Sequence, residues 1–161
     1  MSKYFLKENK RTGRDNVCIE DAKIIFKNFS GEERKFNRAG DRNFHVIIDD
    51  PDFVDELTKL GWNVQEHLPK DKDDDPYYTV KCTVSYKRRP PKICLYSGRR
   101  RTNLDEDTID ELDYVDIVTC DLELNGSRWE VNGNVGIKAY VSELHVTMNQ
   151  SAFDDKYADY E

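Results

Sequence analysis

Residues 77–87 read YYTVKCTVSYK, which is the clearest strand pattern in the sequence. Within it Tyr78, Val80 and Cys82 occupy every second position, and polar side chains lie between them. A period of two is typical of a β-strand with one side in the core and the other in water. The stretch therefore predicts a fold built mainly from β-strands.

The same alternation recurs before and after this stretch. Further strands are predicted at residues 22–27, 34–48 (interrupted at 39–41), 92–97, 115–124 and 135–148. Two of them change phase, which indicates the β-bulges that strands need when they curl around a barrel. Asn125-Gly126 and Asn132-Gly133 are typical hairpin turns. Residues 66–76 are charged and bounded by prolines, and we expect a loop there.

One helix interrupts the strands. Asp50 is a favourable N-cap, Pro51 suits the first helical position, and Gly61 suits the position after the last turn. These residues predict a helix over residues 51–60. Residues 102–113 are expected to add a short helical turn.

About six strands and one short α-helix indicate a mostly β protein. We expect a small antiparallel barrel of the oligonucleotide/oligosaccharide-binding (OB) type, and a β-sandwich is the alternative. In this interpretation residues 1–16 are a flexible N-terminus and regular structure begins near Val17. Residues 17–150 form the OB-like domain, and residues 151–161 are an acidic tail.

The composition argues against several function classes. The 161 residues contain four cysteines and three histidines without metal-ligand spacing, so we expect reduced cysteines in the core and no metal or other cofactor. No apolar run is long enough to cross a membrane, and the first residues do not resemble a signal peptide. We therefore expect a cytoplasmic protein with no membrane partner.

The charges are segregated along the chain. The net charge is −7, but residues 81–101 hold eight basic side chains and no acidic one, whereas residues 102–123 hold nine acidic side chains and no basic one. Binding depends on the local field of one face rather than on the sum over the chain. A nucleic-acid partner is therefore compatible with the acidic total.

Basic and aromatic side chains alternate with inward positions in the predicted strands, or lie at strand ends. Single-stranded DNA is bound by cations along its phosphates and by flat rings under its bases. The candidate contacts are Lys35, Arg38, Arg42, Tyr77, Lys81, Lys87, Arg88, Arg89, Lys92, Tyr96, Arg99, Arg100, Arg101, Lys138 and Tyr140. The alternative interpretation of the outward lysines is that they only keep the protein soluble. Trp129 is either a stacking ring or a core residue. From the alternation we expect the side chain of Phe26 to point inward and that of Cys94 to point outward.

Other functions leave weaker traces in the sequence. The sequence contains no phosphate-binding glycine loop and no nucleophile motif, so we expect that the protein is not an enzyme. A nuclease ranks third among the possible functions. The main alternative is a protein-binding module, such as an inhibitor of a host or defence enzyme, whose contact surface is the acidic stretch 105–123.

Several segments resemble a family of small phage proteins and, through it, phage single-stranded-DNA-binding proteins. The segments are residues 28–38, 40–44, 46–51, 61–64, 89–93, 112–114, 129–133 and 136–141. The resemblance covers about residues 17–157. It implies an OB fold that coats single-stranded DNA during phage DNA replication or recombination in the bacterial host. It also implies an acidic C-terminus. A flexible anionic segment either competes with DNA for the cationic face or recruits replication or recombination proteins, and the alternative is a frayed terminus without a role.

Overall fold

The computed structural model describes residues 2–71, 73–87 and 89–149. Within these ranges the chain forms ten strands, one α-helix and one 3-10 helix at Ile109–Asp113. The elements run in the order β1 Lys3–Asn9, β2 Arg14–Ala22, β3 Ile24–Asn28, β4 Arg42–Ile48, α1 Pro51–Leu60, β5 Val64–His67, β6 Tyr77–Val84, β7 Lys92–Ser97, β8 Arg100–Leu104, β9 Ile117–Val131 and β10 Asn134–Met148. The prediction of a mostly β fold with one short α-helix is confirmed.

All ten strands belong to one mixed sheet. Its main order is β1-β2-β9-β10-β6-β4-β3, with β5 paired to β6, and β7 paired to both β10 and β8. The pairings of β10 with β6 and with β7 are parallel, and the others are antiparallel. Among the described residues, the two end strands of this order, β1 and β3, do not pair with each other, so hydrogen bonds between them do not close the sheet into a barrel.

The long strand β10 organises the sheet. It pairs with β9 along its whole length, with β6 in its first half and with β7 in its second half. A register shift between Val141 and Glu143 separates the two halves, and a second shift lies between Thr147 and Met148. These irregularities confirm the predicted phase changes, and the first one lets one strand serve two different neighbours.

Helix α1 covers one end of the core. The Asp50 carboxylate accepts hydrogen bonds from the backbone N–H groups of Asp52 and Phe53, and Gly61 ends the helix with φ = 96°. Both ends agree with the sequence prediction, because capping depends on local residues. The buried side of the helix, with Leu57 at its centre, packs into a core that includes Phe29 and Phe44.

The N-terminal prediction is wrong, because regular structure begins well before Val17. Strand β1 pairs with β2 over seven residue pairs. The ring of Tyr4 stacks on Phe53 of α1 with 5.0 Å between centroids, and its hydroxyl donates to Asp49 at 2.5 Å. Residues 7–14 are polar, so the sequence gives no sign of these long-range contacts.

One of the two predicted hairpin turns is also wrong. The chain turns at Asn132-Gly133, where both residues have positive φ, but Asn125-Gly126 lies inside β9. A Cβ on Gly126 would lie 2.7 Å from Ile137 Cγ2 and 3.0 Å from Trp62 Cζ2. Glycine is therefore required here by close packing rather than by a turn.

Smaller differences concern the loops and two side chains. Residues 64–67 and 100–104 form strands β5 and β8, whereas residues 34–41 form a loop that leads into β4. Cys94 is buried rather than outward. All four cysteines are buried and unpaired, as expected.

Candidate nucleic-acid interface

The outward side of β6 collects side chains from distant parts of the sequence. Lys81 lies opposite His45 of the antiparallel neighbour β4. On its other side β6 runs parallel to β10, with Tyr140 opposite Thr83. Lys138 and Lys81 immediately precede the paired residues Ala139 and Cys82, so two outward lysines from separate stretches come to the same part of the sheet.

The outward side of β10 extends this row toward the β9–β10 hairpin. Lys138 Nζ lies 5.2 Å from the centroid of the Tyr140 ring. Trp129 of β9 lies opposite Gly136 and covers it, since a Cβ on Gly136 would lie 2.6 Å from Trp129 Cζ2. The indole is 40% exposed, so it is a surface ring. We name the whole row the central face: Trp129, Tyr140, Lys138, Lys81, His45 and Tyr77.

The neighbouring outward positions in this row are neutral. Asn125 and Ser127 lie opposite Tyr140 and Lys138, and Asn43 lies opposite Thr83. The lysine charges of the central face are therefore not opposed by cross-strand carboxylates at these positions. This is the local pattern that a polyanion requires.

A strained aromatic residue marks the edge of the central face. The register between β3 and β4 shifts after Ile25, and Phe26 adopts φ = 55°. A positive φ in a bulky residue costs free energy and is found mainly where a side chain has a function. The bulge turns Phe26 outward, where it is 53% exposed and meets His45 edge-to-face at 5.3 Å. The prediction that Phe26 points inward is wrong.

Three further rings continue from Phe26 along the sheet. The imidazole of His67 lies 6.1 Å from that of His45 and stacks on the ring of Tyr77 at 4.7 Å. The hydroxyl of Thr79 lies between the two imidazoles, 2.9 Å from His45 Nδ1 and 2.8 Å from His67 Nε2. Strands β4, β5 and β6 thus hold two histidines and a tyrosine in one cluster.

The two histidines of this cluster line a cleft with a volume of about 510 Å³. The loop 34–37 also lines the cleft, and in it Lys35 Nζ lies 5.4 Å from the centroid of the 90% exposed Phe36 ring. We name it the histidine cleft, and its principal side chains are Phe26, Phe36, His45, Gln65, His67 and Lys81. Among the described residues that line it, none is acidic.

The histidine cleft is positive without a charge on His45. Burial, followed by the proximity of His67 and Lys81, lowers the pKa of His45 to about 4. His45 is therefore neutral at neutral pH and acts as a flat ring and a hydrogen-bonding group. The positive charge comes from Lys81, Lys35 and Arg34, of which Arg34 also lies 3.6 Å from Glu32.

The structure divides the predicted contact residues into groups. Tyr77, Lys81, Lys138 and Tyr140 lie on the central face, and Lys35 lies in the histidine cleft. Arg38 is exposed in the same loop. Arg42, in contrast, donates to the backbone oxygens of Phe29 and Glu106 and packs over Tyr86, so its guanidinium supports the fold.

A second group lies far along β10. We name it the Tyr96 cluster: Lys92, Tyr96, Arg101, Glu143 and His145. The Tyr96 hydroxyl is 2.8 Å from His145 Nδ1, and Glu143 lies 2.7 Å from His145 Nε2 and 3.8 Å from Lys92 Nζ. The cluster lies beyond the bulge in β10. Its Tyr96 pairs with Thr147, which is about 30 Å along the strand from Lys138. Its carboxylate makes it less suited to phosphates than the central face.

The remaining predicted cations lie around β6, β7 and β8. Lys87 and Arg89 are exposed in the segment between β6 and β7, Arg99 lies in the turn after β7, and Arg100 lies in β8. Arg88 and the predicted acidic tail at 151–161 fall outside the described residues. The predicted basic stretch 81–101 is thus spread over several parts of the sheet.

Comparison with known proteins identifies the family. Residues 6–161 match the family model described as "Putative phage ssDNA-binding domain". The chain belongs to this family. The match confirms the predicted kinship with phage single-stranded-DNA-binding proteins and the DNA-binding function that followed from it. The sequence matches no curated protein.

Solved structures of a phage protein share the fold of this family member. The C-terminally truncated single-stranded DNA-binding protein of bacteriophage Enc34 superposes with a TM-score of 0.57 at 8% identity, over 92% of this chain and 97% of that one. The Enc34 protein in complex with ssDNA gives a TM-score of 0.54 at 8% identity, over 94% and 98% of the two chains. Among the described residues of this family member, no helix is long and apolar enough to cross a membrane.

The sequence alone did not identify several rings of the candidate site in this family member. His45 and His67 lack metal-ligand spacing, and only the strand pairing shows that they adjoin. Phe26 follows the inward alternation until the bulge reverses it. The sequence does not decide whether Trp129 is a core or a surface residue. Its position opposite Gly136, which the ring covers, shows that it lies on the surface.

Proposed function

We propose that this protein coats single-stranded DNA during phage DNA replication or recombination, with the strand lying across the central face and the histidine cleft. The observation that carries the proposal is the interleaving of exposed rings and lysines on one side of β10, β6 and β4. Rings stack with bases of any sequence, and lysines neutralise the phosphates between them. A protein that coats DNA needs this tolerance of sequence.

The spacing of the groups supports a strand that crosses several β-strands. Neighbouring strands lie about 4.8 Å apart, so the step from β10 through β6 to β4 spans about 10 Å. Lys81 lies opposite His45, and Lys138 and Lys81 precede the paired residues Ala139 and Cys82 of β10 and β6. Trp129 and Tyr140 lie at one end of the row, and the rings of the histidine cleft lie at the other end.

The fold comparison gives independent support. The Enc34 protein binds ssDNA in one of the two structures, and it shares this fold over nearly the whole chain. We infer that the sheet is an OB-like barrel and that the protein works in the cytoplasm of the bacterial host without a cofactor or an enzymatic activity. We further propose that the acidic segment 151–161 contacts replication or recombination proteins.

The first test compares single-stranded and duplex DNA. Fluorescence anisotropy of labelled oligo-dT and of a matching duplex is titrated with the full chain at two salt concentrations. We expect tighter binding of oligo-dT and a loss of affinity at the higher salt concentration. Absence of binding to oligo-dT at low salt would refute the proposal and favour the protein-binding alternative.

The second test locates the contact surface. Tyr140→Ala removes a ring from the central face, and Tyr96→Ala removes a ring from the Tyr96 cluster. We expect the first substitution to weaken binding by several-fold and the second to have the smaller effect, because the hydroxyl of Tyr96 is engaged with His145. The reverse order would move the contact surface to β7 and β8.

A further inference from the structure

The hydroxyl of Thr79 couples the two imidazoles of the histidine cleft. Thr79 is fully buried, and its only described partners are His45 Nδ1 and His67 Nε2. A hydroxyl donates one proton, so it donates to one ring and accepts an N–H from the other. Accepting from both rings would leave the buried hydroxyl proton without a partner among the described residues, which is unfavourable.

This coupling fixes the tautomers of the two rings relative to each other. A neutral imidazole carries its proton on one nitrogen. If Thr79 donates to His45, both rings carry their proton on Nε2, and if Thr79 donates to His67, both carry it on Nδ1. In either arrangement the two outer nitrogens, His45 Nε2 and His67 Nδ1, are one donor and one acceptor. Exchange of the arrangement exchanges their roles.

A donor beside an acceptor is suited to a base rather than to a phosphate. Phosphodiester oxygens only accept hydrogen bonds, whereas the exposed edges of unpaired bases carry both donors and acceptors. Resting on the proposed single-stranded-DNA binding, we propose that the histidine cleft is a nucleobase pocket in which unpaired bases present their polar edges to His45 and His67. The lysines hold the phosphates outside it.

The shape and surroundings of the cleft fit this assignment. Its volume of about 510 Å³ is in the range of small-ligand pockets. The exposed rings of Phe26 and Phe36 provide surfaces for the faces of bases, and Gln65 adds an amide that both donates and accepts. The depressed pKa of His45 keeps its ring neutral, which the coupled arrangement requires.

The coupling also accounts for recognition without sequence preference. A fixed donor and a fixed acceptor would favour some bases over others. The two arrangements interconvert when His45 Nε2 gives its proton to water, His67 Nδ1 takes one from water, and the two inner protons shift along the hydrogen bonds from His67 through Thr79 to His45. The pocket then interchanges the donor and the acceptor and leaves no group unpaired. A coating protein that must accept every base benefits from such a reversible element.

The tautomers can be measured in the free protein. Long-range ¹H–¹⁵N NMR spectra of the full chain at neutral pH report which nitrogen of each imidazole is protonated. We expect His45 and His67 to show the same tautomer, or the same mixture, in the wild type and in Thr79→Ser. In Thr79→Val the two rings become independent. Opposite tautomers in the wild type would overturn the coupling.

The ligand assignment is tested with a DNA that lacks bases. Oligo-dT and an abasic oligomer of the same length are titrated against the wild type, and the imidazole ¹⁵N shifts are followed. We expect both rings to respond to oligo-dT and not to the abasic oligomer. An equal response to both oligomers would overturn the nucleobase pocket, whereas the coating function would stand. If the wild type binds neither oligomer at low salt, the coating function fails and the pocket fails with it.

Substitutions provide the quantitative form of this test. His67→Phe keeps a flat ring against Tyr77 but removes both nitrogens, and His145→Phe is the matched control in the Tyr96 cluster. We expect His67→Phe to lower the affinity for oligo-dT by about tenfold and to leave the abasic oligomer unaffected. The control should change neither. Equal losses on both oligomers would contradict the assignment, and the wild-type NMR shifts decide the matter if the variant does not fold.

Discussion

His45 shows how a single residue makes the stability of this protein depend on pH. Burial, followed by the proximity of His67 and Lys81, lowers its pKa from 6.5 to about 4. The unfolded chain therefore binds a proton near pH 6.5 that the folded chain does not bind until about pH 4. Linkage makes this contribution to stability complete above pH 6.5, and it is lost progressively as the pH falls toward 4.

The variant His45→Gln isolates this contribution from that of the many carboxylates. We expect the free energy of unfolding of the wild type to fall more steeply between pH 6.5 and pH 4 than that of the variant. Urea unfolding at several pH values measures both, and above pH 7 the difference between them should stay constant. Parallel curves over the whole range would contradict the depressed pKa.

Gly126 is a second residue whose environment makes a sharp prediction. Its missing Cβ makes room for Ile137 and Trp62, both of which are buried. Gly126→Ala should destabilise the protein by about 1–3 kcal/mol, because an additional methyl group overpacks this site. The neighbouring exposed substitution Ser127→Ala should change stability by less than about 0.5 kcal/mol. Urea unfolding of the pair is the measurement, and equal stabilities would show that the core relaxes around the methyl group.

At the scale of elements, the β9–β10 hairpin presents Trp129 to solvent on the side of Lys138 and Tyr140. Trp129→Ala should weaken the binding of oligo-dT by about 5- to 150-fold, which corresponds to roughly 1–3 kcal/mol for a stacked base. Some stability should be lost as well, because the part of the ring that covers Gly136 is removed, so affinities are compared under conditions in which both variants are folded. Val131→Ala, at an exposed position of the same strand, is the matched control in anisotropy titrations. Similar affinities for both variants would remove Trp129 from the contact surface.

The helix and the strands differ in how well their bounds could be predicted from their own residues. Helix α1 could be predicted at both ends, because its caps at Asp50 and Gly61 act on adjacent backbone groups. The core positions of β6 could be predicted from alternation alone. Asn125-Gly126 has the residues of a turn but lies within a strand, because Trp62 and Ile137 require the glycine. Local patterns therefore determine helix ends and strand faces, whereas packing between distant segments decides where a strand ends.

The candidate site was harder to predict from the sequence than the helix and the strands, because it is assembled by contacts between distant segments. The sequence indicated the lysines and tyrosines of the central face, because outward positions follow from alternation. It did not show that β6 and β10 are parallel neighbours, which brings together the two stretches that carry Lys81 and Lys138. Nor did it show the bulge that turns Phe26 outward or the buried Thr79 that joins two histidines. The residue types could be predicted, but their assembly into one surface could not.

At the scale of the whole molecule, β1 ties the first residues of the chain to α1 and β4. Tyr4 stacks on Phe53 and donates to Asp49, and burial and that hydrogen bond raise its pKa to about 12. Tyr4→Phe should cost about 0.5–1.5 kcal/mol through loss of the hydrogen bond. Tyr4→Ala should cost more, because the stacking is lost as well. Urea unfolding compares the two, and wild-type stability in Tyr4→Ala would show that β1 is dispensable.

The charge of the whole molecule leads to a prediction about salt. A chain with net charge −7 repels DNA at long range, so binding at low salt requires local release of counterions by the cations that touch phosphates. For single strands the slope of log affinity against log salt is about −0.7 for each phosphate neutralised. Replacing both Lys81 and Lys138 with alanine should make that slope shallower by about 1.4. Lys92→Ala, whose amine lies 3.8 Å from Glu143, should leave it nearly unchanged.

Anisotropy titrations of oligo-dT at four or more salt concentrations give these slopes for the wild type and the variants. A shallower slope in the Lys81 and Lys138 double variant alone would mean that phosphates lie along the central face. A shallower slope in Lys92→Ala alone would place them at β7, beyond the bulge in β10. The two outcomes assign the DNA to different halves of β10, because the register shift after Val141 separates the central face from the Tyr96 cluster.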